Sequence, residues 1–273
     1  MLMPFWQDWF SETGYVPRSV NAIYFGEEST PLGSILIPRI NVFANIVDPR
    51  IGFAVFLLIV VAAILTTIGL WTRVSSALLA IGVISLSQRC GPILHGGDTV
   101  MRIMLIYIAV GPSGAALSVD RWLAAKKGKP AVRISMWPLR LIAFNTALVY
   151  FTTTWLKLYG NTWRNGTATW YPARLHEFDR FPVPGFVNEF PMVTLTTYGT
   201  ITVEFLLGTL VFVKPLRKYI LGAGLLMHAY IEYSMNIPLF AFMMCACYIC
   251  FYEGEEVEGW LQRVRARVLP SRA

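Results

Sequence analysis

Charge is scarce in this chain. Asp, Glu, Lys and Arg make up 14% of its 273 residues, where a soluble domain carries about 25%. Hydrophobic residues make up 55%, so a water-soluble fold is not expected. Phosphate-binding loops, dinucleotide glycine motifs and a serine nucleophile elbow are missing, which removes the common nucleotide and hydrolase signatures. Cysteine is limited to four residues, with one CxxC at Cys247 and Cys250 and no second ligand pair at zinc spacing. No metal or nucleotide cofactor is therefore expected. Beside a quinone such a pair would suggest a thiol enzyme. Cys245 shares its apolar run, however, and we read these cysteines as small buried apolar residues.

What is present is a succession of long apolar runs. A bilayer needs about 20 predominantly apolar residues per helix, because hydrocarbon leaves exposed backbone groups unpaired. Spans are predicted over 51–71, 75–94, 99–117, 137–158, 192–213, 219–234 and 237–252. The expected architecture is all-α, a polytopic transmembrane bundle of about seven helices with no soluble C-terminal domain. Residues 1–50 form an outer N-terminal segment, 51–252 the membrane domain and 253–273 a basic tail. Met1 to Phe10 carries Asp8 and no basic region, so a cleaved signal is not indicated. The tail turns from acidic to basic, which suits a short amphipathic segment on an anionic leaflet.

Lysines and arginines fix the orientation, since cytoplasmic loops retain them. The stretch 119–136 holds Arg121, Lys126, Lys127, Lys129 and Arg133. Placing it inside also places Arg73, the group Lys214, Arg217 and Lys218, and the tail arginines Arg263, Arg265, Arg267 and Arg272 inside. The N-terminus is then outside and the C-terminus cytoplasmic. The net charge of +7 is accounted for by these loops, and no nucleic-acid partner is expected.

The outward connections hold the unusual residues. The long one mixes Trp155, Trp163, Trp170, Tyr171, Phe178, Phe181 and Phe186 with Lys157, Arg164, Arg174, His176, Glu177, Asp179 and Arg180. An interfacial aromatic belt with snorkelling cations explains most of these. Lys157, at the outer end of the fourth span, stands apart as a base if its ammonium is partly desolvated. Glu204 lies near the middle of the fifth span, and His228 and Glu232 sit four apart on the sixth, able to pair directly. Arg89, His95, Asp98 and Arg102 crowd another outward turn, where Gly96 and Gly97 allow a tight bend. Two readings stay open: structural pairs that bind helices together, or one outward polar cavity lined by His95, Asp98, Lys157, Glu204 and His228. Asn165, Gly166 and Thr167 form a glycosylation triplet of low specificity.

The segment RCGPILHGGDTVMRIMLIYIAVGPSGAALSVDRW from Arg89 resembles the motif of the HTTM domain, a membrane module related to vitamin K-dependent gamma-glutamyl carboxylase. YFTTTWLKLYGNTWRNGTA from Tyr150 resembles that family's aromatic, lysine, tryptophan and glycine pattern before an outer loop. Glu204 followed by His228 and IPLFAFMM matches a third block, and the likeness runs over roughly residues 5–252. FWQDWFSETGYVPRSV is similar to the loop that follows a first helix in the family, so that helix is expected to be missing from the chain as written.

The resemblance implies a reduced vitamin K-type quinone, oxygen and carbon dioxide as co-reactants. It implies Lys157 as the base that deprotonates the quinone, with His95 and His228 as further catalytic residues. Asp98, Arg102, Trp155, Trp163, Glu204 and Glu232 are the candidate substrate or quinone contacts. The product would be a carboxylated glutamate on an exported peptide. The carboxylases continue into a large strand-rich region that grips the peptide, which is not expected here. Short relatives of the sporulation-delaying protein B type imply a second reading, an accessory factor for maturation or export of a secreted peptide. A third is a quinone- or lipid-binding membrane module. Membrane lipid is the expected partner and a bacterial plasma membrane, the inner membrane, the expected location.

Overall fold

A computed structural model describes residues 5–25, 40–131, 134–176 and 180–268. Arg133, Glu177, Phe178, Asp179 and Arg272 lie outside the described residues. The described chain is all-helical, with twelve α-helices, short 3-10 turns and no strand. It divides into two compact units, Met1–Pro138 and Leu139–Ala273.

The first unit opens with α1 (Trp6–Phe10) and α2 (Arg18–Phe25). The described residues of the expected outer N-terminal segment pack against the helices that follow. Trp6 and Phe10 stack at 4.1 Å and join Phe43, Ile59 and Cys90 in one buried apolar cluster. Trp6 Nε1 donates to the Pro49 carbonyl at 3.1 Å.

The next helix, α3 (Pro49–Ile68), starts where Asp48 accepts from the Arg50 N–H at 2.8 Å. Pro49 takes the first helical position, where its missing N–H costs nothing. Gly69, at φ +70°, ends it. That left-handed residue is why the span stops short of the predicted 71. Helix α4 (Thr72–Arg89) runs back against α3. At Gly82 a Cβ would lie 2.5 Å from Ile59 Cγ1, so only hydrogen fits at this crossing. A 3-10 turn, Gly91–Ile93, leads to α5 (Gly96–Val110). Gly111 and Pro112 follow and close it earlier than the predicted 117. Gly96 and Gly97 begin this helix with ordinary φ values; the bend needs no left-handed glycine.

Beyond α5 lies α6 (Val119–Lys126). Its Asp120 reaches across to cap α4, accepting from the Trp71 N–H at 2.9 Å, the Thr72 N–H at 2.8 Å and the Thr72 hydroxyl at 2.7 Å. Those bonds, the Thr72 N–H first, hold the Asp120 carboxyl below its usual range. The cap therefore contributes full stability above about pH 4. It is lost as the pH falls through the lowered value. Asp120→Ala is expected to cost about 1 kcal/mol at neutral pH. In thermal melts of purified protein, the gap from wild type should close in acid.

The second unit contains α7 (Trp137–Tyr159), α8 (Asn161–Arg164), α9 (Phe190–Thr209), α10 (Lys214–Ser234), α11 (Phe240–Ala246) and α12 (Gly254–Val268). Gly208 on α9 would place a Cβ 2.7 Å from the Phe151 backbone nitrogen, so α7 and α9 touch almost backbone to backbone there. Gly224 on α10 makes room for the Tyr248 hydroxyl, 2.4 Å from where its Cβ would stand. Among the described residues, Pro49–Ile68 and Phe190–Phe212 are long and apolar enough to cross a bilayer, and Phe240–Phe251 is a shorter apolar helix.

Candidate functional site

In the second unit the chemistry gathers along one face of α7. Tyr150, Thr153, Thr154 and Lys157 follow a spacing of three and four residues and so share a stripe. Glu204, buried on α9, faces that stripe. Lys157 Nζ donates to both its carboxylate oxygens, at 2.8 Å to Oε1 and 2.6 Å to Oε2. Thr153 adds a hydroxyl bond to Oε2 at 3.3 Å. The Lys157 ammonium also stands 5.1 Å from the Trp163 ring of α8. At these separations the pair can exchange a proton directly, and neither charge is left bare. Trp155, two residues before Lys157, points off another side of α7, half exposed and edge-on to Phe151 at 6.1 Å.

Deeper on the stripe, the Tyr150 hydroxyl lies 2.7 Å from His228 Nε2 and 2.8 Å from the Tyr248 hydroxyl. His228 is 2% exposed. Its ring meets Phe240 edge-on at 5.5 Å, and its Nδ1 has no hydrogen-bond partner. Tyr150, Tyr248 and Thr153 join this candidate site and were not singled out from the sequence. For Tyr150 and Thr153 the signal was present, since both lie at helical spacing from Lys157. Tyr248 comes from a 3-10 turn, Cys247–Phe251, whose register hydropathy does not fix. Glu232 does not pair with His228. Its side chain and its carbonyl both accept from Arg180, and the neighbouring Tyr233 hydroxyl donates to the Pro182 carbonyl at 2.8 Å. The end of α10 is thus fastened to the connection between α8 and α9.

In the first unit, His95 is the N-cap of α5. Its Nδ1 accepts from the Gly97 N–H at 3.0 Å, and Asp98 Oδ2 accepts from the His95 N–H at 2.8 Å. This reciprocal box satisfies two orphan N–H groups. It explains both residues structurally while leaving their side chains partly exposed. Arg102 is buried, yet its bonds are local: Nη2 to the Thr99 hydroxyl at 3.0 Å and Nε to the Asp98 carbonyl at 3.3 Å. Arg89 turns away from this group. Nη1 donates to the Val16 carbonyl at 2.8 Å and Nη2 to that of Phe10 at 2.6 Å.

The four cysteines are free thiols, with Cys90 and Cys247 buried and Cys245 and Cys250 half-buried. Cys247 Sγ donates to the Met243 carbonyl one turn earlier, at 3.2 Å.

Comparisons with curated proteins and with solved structures give no match. The profile of the HTTM domain matches residues 39–255. That stretch takes in every candidate residue named above and most of the chain, and the chain belongs to the HTTM domain family.

Proposed function

We propose that this is a polytopic membrane protein of about seven helices, N-terminus outside and tail cytoplasmic, that uses the Lys157–Glu204 pair to draw a proton from a bound quinol at the outer face of a bacterial plasma membrane. The membrane reading is supported by α3, about 30 Å long from end to end and strongly apolar, with only 22% of its span buried in the protein. Such a surface is tolerable in lipid and not in water. Orientation rests on the lysine and arginine bias.

The observation that carries the chemical reading is the bidentate contact of Lys157 Nζ with Glu204, at 2.6 and 2.8 Å. A lysine works as a base when its ammonium can pass its proton on, and Glu204 stands ready to receive it. The residues also fit an aromatic ring bearing oxygens. His228 Nδ1 is a buried polar atom with no partner, set among Tyr150, Tyr248 and Phe240. Lys157 and His228 would supply polar contacts, and Trp163 and Phe240 apolar ones. A reduced vitamin K-type quinone would supply, together with oxygen, the strong base that takes the γ-proton of a peptide glutamate, leaving a carbanion to which carbon dioxide would be added. Thr153 keeps Glu204 oriented, and Tyr150 fixes the His228 ring.

Purified protein in nanodiscs, given reduced quinone and oxygen, is expected to consume the quinone. Labelled carbon dioxide should enter a peptide encoded nearby and co-expressed. No consumption would exclude the base mechanism. One observation favours a second reading, a membrane accessory factor for a secreted peptide or a quinone- or lipid-binding module. The Lys157 charge is already fully met by Glu204, as in pairs that fasten helices. That protein would bind quinone or peptide and turn over neither.

A further inference from the structure

The last helix, α12, follows directly on the apolar stretch Phe240–Phe251. Its start is fixed to the first turn of α10 by two ion pairs, Lys214 with Glu253 at 2.9 Å and Arg217 with Glu256 at 3.1 Å. The apolar stretch Phe240–Phe251 thus ends at the level where α10 begins, and α12 leaves from it. Trp260 meets Tyr252 edge-on at 4.5 Å at the same level. If α10 and the 240–251 stretch span the bilayer, as proposed above, α12 must begin at a membrane–water boundary.

Helical spacing sorts the rest of α12 into two surfaces. Val257, Trp260, Leu261 and Val264 fall on one stripe. Trp260, Leu261 and Val264 are exposed at 39%, 54% and 58%, too apolar a surface to be left in water beside a membrane. In sequence register, Arg263 and Arg267 fall on one side of that stripe and Arg265 on the other. The acidic residues Glu253, Glu255, Glu256 and Glu258 gather at the opposite end, where Glu253 and Glu256 are held by Lys214 and Arg217 and Glu258 accepts from Gln262 at 3.3 Å. The sequence of the free end is therefore basic on both flanks of an exposed apolar stripe. Among possible occupants, only an anionic lipid surface offers hydrocarbon to the stripe and phosphate to both edges at the level where the helix starts.

We infer that α12 is a lipid-docking helix that lies in the interface of the cytoplasmic leaflet and selects anionic headgroups. Each arginine near such a surface strengthens binding by about fivefold, so the three act as a composition sensor rather than a permanent anchor.

The test is amide hydrogen exchange of the full chain in nanodiscs of phosphatidylcholine alone or mixed with phosphatidylglycerol. Exchange of 257–268 is expected to slow by at least about tenfold in the anionic discs. Arg263→Gln/Arg265→Gln/Arg267→Gln should abolish the lipid difference. Leu261→Ser/Val264→Ser should abolish protection in both lipids. Equal exchange in the two lipids overturns the inference. So does protection that rises with the number of chains per disc, which identifies a second copy as the occupant. Exchange of α3 in the same samples reports on membrane insertion separately: slow α3 amides with lipid-indifferent α12 amides leave the membrane reading standing and remove only this one.

Discussion

Lys157→Arg is expected to leave a folded protein whose quinone consumption is lowered by about a hundredfold or more, the usual contribution of a positioned base. A guanidinium keeps the charge opposite Glu204 and can still bond it through two donors, but it does not give up a proton. Lys157→Ala should abolish the same activity with a second effect. Glu204 is 8% exposed, and removing its cation strands a buried carboxylate, a loss of about 3–5 kcal/mol. Lys157→Ala/Glu204→Gln removes the stranded charge and should recover most of the thermal stability without any activity. Turnover measured beside melting temperature thus separates chemistry from architecture. Wild-type turnover in Lys157→Arg would end the proposal of a lysine base. Wild-type stability in Lys157→Ala would mean that the pair with Glu204 contributes little to the fold.

Arg89→Leu is the change with the largest expected structural cost in the first unit. Its guanidinium is 4% exposed and joins α4 to the carbonyls of Phe10 and Val16, with the Phe10 ring 5.9 Å away. Bonds from a charged donor contribute about 1.5–3 kcal/mol each, and the carbonyls left behind would be buried without partners. A loss of about 3 kcal/mol or more is expected. It should appear locally as release of residues 5–25. Tryptic cleavage at Arg18, which the fold now shields through its ion pair with Glu12 at 2.9 Å and its bond to the Ile46 carbonyl, should accelerate by at least tenfold. Arg89→Lys should fall between the two, since an ammonium reaches one carbonyl more easily than two. Unchanged cleavage in Arg89→Leu would mean that the Trp6–Phe10 cluster alone secures the segment.

The helices were legible because hydropathy is a local property. The positions of α3, α4, α5, α7, α9 and α10 follow from runs of apolar residues, but their ends shift by several residues, as where Gly69 stops α3 and Pro112 follows α5. The Lys157–Glu204 contact was foreshadowed by two ionisable residues placed where each alone would be costly. What was not legible needs long-range geometry. Arg89 looked like part of the His95 turn because it is near in sequence, but its partners lie more than seventy residues earlier. His228 and Glu232 share a helix face, yet Arg180 takes Glu232 from the outer connection, a pairing that no helical period reveals. Asp98 and Arg102 are also four apart, and there the helix start won: a carboxylate at the third position serves its own N-cap before any neighbour. The cap of α4 by Asp120 was hidden for the same reason, since it joins residues that two helices separate.

The unpaired Nδ1 of His228 makes ligand binding measurable without turnover. A buried hydrogen-bonding atom that no protein group satisfies is a loss of about 1–3 kcal/mol until something bonds it. A bound hydroxyl, which both donates and accepts, recovers it whichever ring nitrogen carries the proton. Melting temperature should therefore rise with such a ligand in proportion to the logarithm of its concentration. A panel of quinols, phenols and hydroxyl-bearing lipids can be ranked by that rise alone, and the ring that belongs beside His228 named before any reaction has been seen.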